Sequence, residues 1–270
     1  MPQQINVDLG QILEIAMLGV RRAAMFIGFG VNSADDPKAV DYRLRGFIRV
    51  NILPDNLSVE SIAEGKLHFR QWILGNGLTE LLHNYSLFLD EVYAVSLMIA
   101  AVGNAELSDS WERRVATFRA KTSIASKLRT IFNEAGLESH FRGHFYGFTR
   151  ARNALIHANG RVLPEHCDEG QERLSVAWPG HHVFVRCPDG REVELQPGLV
   201  VSQNAEVIWR MQDRERVFAL GESVRFEPRD IAEICWMVQR DAGELVNGVA
   251  SIGQMAGIPT TAPPSPETLT

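Results

Sequence analysis

LHFRQWILGNGLTELLHNYSLFLDEVYAVSLMIAAV, residues 67–102, is the stretch that sets the fold class. Leu67, Leu74, Leu78, Leu81, Tyr85, Phe88, Val92 and Ile99 recur at steps of three, four and seven, which is the spacing of one buried face of a long α-helix. Gly75-Asn76-Gly77 interrupts it, and because a helical glycine costs about 1 kcal/mol relative to alanine, a kink or a break is expected there. A helix this apolar on one side needs other helices to cover it, so the chain is read as a bundle with this segment at its centre.

Working outward, residues from about Leu9 to Ile27 read as a first helix. A loop follows over Gly28, Gly30, Asn32, Ser33, Asp35, Asp36 and Pro37, and Phe47–Leu53 reads as a short strand before Pro54. On the other side, Gly103-Asn104 ends the central helix and Ser108 to Ser110 supplies a cap for a helix near Trp111. Lys121 to Ala135, closed by Gly136, forms the next helix. Phe141, Phe145, Phe148 and Leu155 then mark the buried side of another.

After Gly160 the period changes to alternation. Leu174–Trp178, Val183–Val185, Glu192–Leu195, Glu206–Trp209, Arg216–Leu220 and Val224–Phe226 read as short strands, with turns at Pro179-Gly180, Asp189-Gly190 and Gln212-Asp213. The helical period returns at Pro228 with Ile231, Ile234, Cys235, Val238, Leu245, Val249 and Ile252 on one face. The fold class expected is α+β, a mainly α-helical up-and-down bundle with a small antiparallel sheet inserted before the last helix. The helical domain spans 1–163 plus 228–254 and the sheet 164–227. Residues 255–270, whose Pro, Thr and Ser leave almost nothing to bury, form a disordered tail. Trp72, Trp178, Trp209 and Trp236 are read as core or sheet residues.

With 270 residues, 45% of them apolar, the chain can fill a real core. Ile12 to Val31 carries Glu14, Arg21 and Arg22, too many charges for a bilayer core, so no membrane partner and a cytoplasmic location are expected. The three cysteines, Cys167, Cys187 and Cys235, fit no disulfide framework. His166, Cys167, His181, His182 and Cys187 lack the short ligand spacing of a zinc knuckle, and His140 and His144 lack the acid of a zinc-protease helix, so no metal is expected.

The net charge of -6 argues against a nucleic-acid binder until its distribution is examined. Between Glu112 and Arg161 there are ten basic side chains against three acidic ones. That block contains Arg152, Asn153 and His157, an Arg-Asn-x-x-x-His spacing at the end of the Phe148–Leu155 helix, with Ala158-Asn159-Gly160 as its stop. An arginine can hold a phosphate bidentately, and a histidine can exchange a proton near neutral pH. At about 100° per residue, Asn153 and His157 share a face while Arg152 and His157 stand roughly 140° apart. One helix therefore cannot aim both at one ligand atom.

The spacing resembles the signature of the HEPN superfamily, the higher eukaryotes and prokaryotes nucleotide-binding domains, which are mostly compact helical domains and often cleave RNA. The resemblance implies a homodimer in which two copies of Arg152 and His157 line one cleft, cutting RNA without a metal or other cofactor. Arg152 would bind phosphate, His157 would move the proton and Asn153 would position one or both, leaving 2',3'-cyclic phosphate ends. Arg142, Arg150 and Arg161 would hold the RNA. A further polar residue from an earlier helix is implied, with Glu80, His83 and Asp90 as candidates. A toxin, stress or phage-defence role, with an antitoxin or other protein regulator, would follow from the same resemblance, as would the alternative of a non-catalytic module that binds nucleotide, RNA or a protein.

Overall fold

The computed structural model describes residues 7–39, 57–102, 105–187, 189–195 and 206–261. The strand expected over Phe47–Leu53, the stop at Gly103-Asn104 and the tail beyond Thr261 lie outside these residues. The described fold is α+β and mainly helical, with a small antiparallel sheet before the last long helix. None of its helices is long and apolar enough to cross a membrane.

Asp8 caps the first helix, α1 (Leu9–Asp35), by accepting the Gln11 amide at 3.1 Å. The helix runs eight residues past its expected end, and Gly28 to Asp35 are helical rather than a loop. The second helix, α2 (Val59–Ala101), starts at a Ser58 cap and continues without a break through Gly75-Asn76-Gly77. Glycine is there for contact. A Cβ on Gly77 would sit 2.3 Å from Ile27 Cδ1, and one on Gly30 would sit 2.7 Å from Ile73 Cγ1, so the missing side chains let α1 and α2 pack backbone to side chain. The stripe from Leu74 to Ile99 is buried as expected, whereas Leu67 is 54% exposed.

Helices α3 (Ala105–Arg119) and α4 (Ile124–Ala135) follow. Since α3 already begins at Ala105, Ser108 to Ser110 lie within it and do not cap it. Ser123 caps α4, and Gly136 ends it at φ 69°, in the left-handed region that glycine enters without steric cost. Helix α5 (His144–His157) carries the motif, and α6 (Pro228–Met255) opens with proline at its first position, where no amide hydrogen is needed.

Six expected strands are three: β2 (Arg173–Arg186), β3 (Glu192–Glu194) and β4 (Glu206–Ala219), in the order β3-β2-β4. The expected turns at Pro179-Gly180 and Gln212-Asp213 pair with each other inside the β2–β4 ladder, Pro179 opposite Asp213 and Gly180 opposite Gln212. β3 covers only Phe184–Arg186, so among the described residues β4 is the one strand paired with β2 at Pro179 and the missing amide hydrogen is tolerated. Gly180 leaves room for the Arg214 side chain, which a Cβ would meet at 2.5 Å and which reaches Glu233 on α6. The turn at Asp189-Gly190 is as expected, with Gly190 at φ 83°. Val224–Phe226 is not a strand, although Val224 and Phe226 are buried.

The inner half of the sheet shares the helical core. Leu174, Val176, Trp178 and Phe218 are buried in one cluster with Phe145, Phe148 and Ile234. Beyond the expected 254 boundary the chain is also ordered as far as Thr261: Ile258 is buried, and β5 (Thr260–Thr261) pairs in parallel with β1 (Val7–Asp8). The helical period thus locates most of the bundle; at Gly30, Gly77, Pro179 and Gly180 the differences arise where Gly and Pro sit inside an element, whereas the early start of α3 and the irregular Val224–Phe226 have no such cause.

Candidate functional site

Helix α5 is held on two sides. Phe145 stacks on Tyr85 of α2 with ring centres 4.9 Å apart, and Gly147 lies so close to β2 that a Cβ would meet the Ser175 carbonyl oxygen at 2.7 Å. Near the other end of α5, Leu155 fills the space left by Gly75 of α2. The helix stops in two left-handed residues, Asn159 at φ 50° and Gly160 at φ 81°, and the Gly160 amide donates to the Ala154 carbonyl at 2.9 Å. The stop is the one the sequence suggests.

Arg152 lies seven residues after Phe145 and three before Leu155, so by helical geometry its side chain enters the seam toward α2. It is partly buried; its Nε is buried without a hydrogen-bond partner, and it forms no ion pair among the described residues. Asn153 is half-buried and His157 exposed on a face turned away from that seam. The angular separation expected from the sequence persists. One protomer brings Asn153 and His157 to one face and leaves Arg152 on another.

The other basic residues are mostly engaged within the fold. Arg150 pairs with Asp168, whose second oxygen accepts the Ser175 amide at 3.0 Å, so Arg150 ties α5 to the sheet. Arg142 stacks over Phe132 at 5.5 Å. Arg161 is exposed, its backbone bridged to Ser223. Arg114 pairs with Glu134, Arg119 with Glu91, and Lys127 with Asp90 at 2.7 Å in the interior. Arg129 donates to the Tyr146 hydroxyl. Much of the basic block therefore holds helices together, which its sequence clustering did not show.

The candidates for a further polar group separate clearly. Glu80 is bound to Arg22 at 2.9 Å and to the Asn84 amide, and Asp90 is the partner of Lys127. His83 is exposed and has no polar partner among the described residues. It stands four residues from Thr79 and seven from Asn76, on the face of α2 that borders the α5 seam.

That face opens into a cavity of about 640 Å³ between α2, the end of α5 and the segment leading into α6. Trp72, Asn76 and Thr79 line it from α2, Ile156 and Asn159 from the motif end, and Ser223 and Arg225 from beyond the sheet. Arg152, Asn153 and His157 are not among its walls. The sequence reading missed this cavity and took Trp72 for a core residue, whereas Trp72 is 61% exposed. Its only sequence signal is that Trp72 falls off the Leu74–Leu78 stripe. Among the described residues no group of three or more His, Cys, Asp or Glu side chains is arranged to hold a metal ion.

Compared with known proteins, no family model matches the chain, and no curated protein or solved structure matches it either.

Proposed function

We propose that the protein is a HEPN-like, cytoplasmic ribonuclease that acts as a homodimer and needs no metal. The observation that carries this reading is Arg152. Of the ten basic side chains in the block, Arg114, Arg119, Lys127 and Arg150 have carboxylate partners and the others have none among the described residues; Arg152 is the one that joins the lack of a carboxylate to a buried, unpartnered Nε, since Arg150, whose Nε is also unpartnered, reaches Asp168 through a terminal nitrogen. Leaving a buried charge unpaired costs about 3–5 kcal/mol when a buried pair is broken, and less for a group as exposed as this one, so an anion supplied from outside is a natural complement.

A phosphodiester fits the donors available. The ribose 2'-hydroxyl attacks the adjacent phosphorus while one His157 removes its proton. The bond from phosphorus to the 5'-oxygen breaks, and that oxygen takes a proton from a second acid, leaving a 2',3'-cyclic phosphate and a 5'-hydroxyl. Two copies facing one another supply both acid and base, and Arg152 holds the charge that grows on the phosphoryl oxygens. Asn153, sharing the His157 face, positions that ring. Arg142 and Arg161 then hold flanking phosphates, Arg150 less so because Asp168 already occupies it. His83 is the best placed of the three earlier candidates to assist. The resemblance to the HEPN superfamily implies a role as a toxin or defence effector, restrained by an antitoxin or another protein.

Purified protein is expected to cut single-stranded RNA in the presence of EDTA. His157→Ala and Arg152→Ala should each reduce cutting at least about 100-fold, the scale of general acid–base catalysis, and Asn153→Ala should cost less. Activity that disappears on chelation, or that survives both substitutions, removes the reading. The second reading, a module that binds RNA, nucleotide or protein without cutting, is favoured by the extent to which the basic block is spent on internal pairs. RNA that is retained intact by the wild-type protein would establish it.

A further inference from the structure

We propose that the cavity at the α2–α5 seam is a nucleotide site, taking one unstacked nucleobase against Trp72 with its phosphate toward Arg225. It is separate from the cleavage motif, because none of Arg152, Asn153 and His157 lines it. Its volume of about 640 Å³ falls within the range of small-molecule sites, roughly 300–1,000 Å³.

Three observations select the ligand class. The first is the aromatic wall. Trp72 is 61% exposed on α2, and Phe69, one turn earlier and outside the cavity walls, stacks beside it with ring centres 6.2 Å apart. An indole left so open to water gains most from a flat aromatic partner, and base stacking on such a side chain is insensitive to which base arrives. The second is charge. In a chain of net charge -6, the cavity walls contain no carboxylate, while His68 and Arg225 are both exposed on them. Arg225 forms no ion pair among the described residues. The third is the set of amides. Asn76 commits its Nδ2 to the Trp72 carbonyl at 2.8 Å, which leaves its Oδ1 to accept from a ligand, and Asn159 adds a second amide at the opposite wall. Amide groups flanking a stacking surface read the hydrogen-bonding edges of an unpaired base. Aromatic, cation and amides together describe a nucleotide.

The same chemistry is presented by a free mononucleotide and by a single base splayed out of an RNA strand. The site is placed to hold the latter beside the motif helix, since Ile156 and Asn159 belong both to the cavity and to the motif end of α5. A base fixed there would leave its strand running across the end of α5.

The test titrates the full chain in EDTA with adenosine 5'-monophosphate, following tryptophan quenching and heat, in the wild type and in His157→Ala. Saturable binding is expected in both, so the site is measured independently of cleavage. Trp72→Leu should weaken binding about 5- to 150-fold, the range for loss of one base stack. Arg225→Gln should weaken the monophosphate about 10-fold and leave adenosine unchanged, the signature of a phosphate contact. Asn159→Gly, which relaxes the left-handed backbone while deleting the amide, gives a third variant, and far-ultraviolet circular dichroism checks folding in each. Displacement of the mononucleotide by a short single-stranded RNA assigns the site to the strand; saturable binding that RNA does not displace assigns it to the free nucleotide. Absence of saturable binding up to about 10 mM, or affinities unaltered in folded Trp72→Leu and Arg225→Gln, overturns the inference. Cleavage that fails while the mononucleotide binds would reject the ribonuclease reading alone.

Discussion

Asp241 shows how much a single buried group can set. It lies fully buried on α6 and accepts the Tyr85 hydroxyl of α2, and burial pushes its carboxyl from 3.8 up to about 6. Because the folded value is the higher one, the contribution of this group to stability is fully present below pH 4. It is lost as pH rises to about 6, where the folded protein also ionises. The shift of about two units corresponds to a loss of roughly 3 kcal/mol across that window. Asp241→Asn keeps an acceptor for Tyr85 and has no proton to lose. Urea midpoints measured from pH 4 to 8 should therefore show the variant gaining on the wild type between pH 4 and 6 and holding that relative gain to pH 8; parallel curves would mean that the carboxyl holds its proton equally well in the folded and unfolded chains. At this scale the motif was readable because Arg152, Asn153 and His157 are neighbours in sequence. The cavity was not, since its walls come from residues 68–79, 155–160 and 223–225, Trp72 belongs to no periodic pattern, and Arg225 falls in a stretch that reads as a strand and is not one.

Between elements, the glycines carry the clearest lesson. Periodicity located the bundle helices other than α3, which was placed by a Ser108–Ser110 cap that lies inside it, because burial of one face is written at every third or fourth residue. Glycine and proline were harder to read, because a residue that breaks structure in isolation can instead permit a contact only visible once the partner is in place. Gly28 and Gly77 separate the two cases. A Cβ at Gly28 meets nothing within 4 Å, so Gly28→Ala should stabilise α1 by about 0.5–1 kcal/mol through helix propensity alone. A Cβ at Gly77 would meet Ile27 at 2.3 Å, so Gly77→Ala should destabilise by about 1–3 kcal/mol as the α1–α2 contact is forced apart. Thermal unfolding of both variants measures the contrast, and equal effects would mean that α1 and α2 are not packed this closely. Pro179-Gly180 follows the same logic in the sheet: the pair spans a place where, among the described residues, β4 is the one strand paired with β2 and where Arg214 crosses to Glu233.

For the whole molecule, the proposed reaction stands on a second copy, since one copy holds Arg152 and His157 on different faces of α5. Helix α1 offers a surface for it. Leu18, Met25, Phe26 and Phe29 are 43%, 51%, 42% and 71% exposed on the outer side of α1, with Arg22, whose guanidinium lies over the Phe26 ring and pairs with Glu80, set among them; exposed apolar side chains grouped in this way mark interaction surfaces. On the proposed reading its occupant is another α1 of the same protein, packed about a two-fold axis. Sedimentation velocity at micromolar concentration should show a dimer. Met25→Glu combined with Phe29→Glu places two carboxylates in each half of the contact, so the doubly substituted protein should sediment as a folded monomer. It should lose RNA cleavage at least about 100-fold, because a general acid or base supplied by the second copy contributes on that scale. It should keep its affinity for adenosine 5'-monophosphate, since the cavity lies within one chain. A wild-type protein that cuts RNA while remaining monomeric would defeat the shared site, because the helical angle between Arg152 and His157 would then have to be closed within α5 itself.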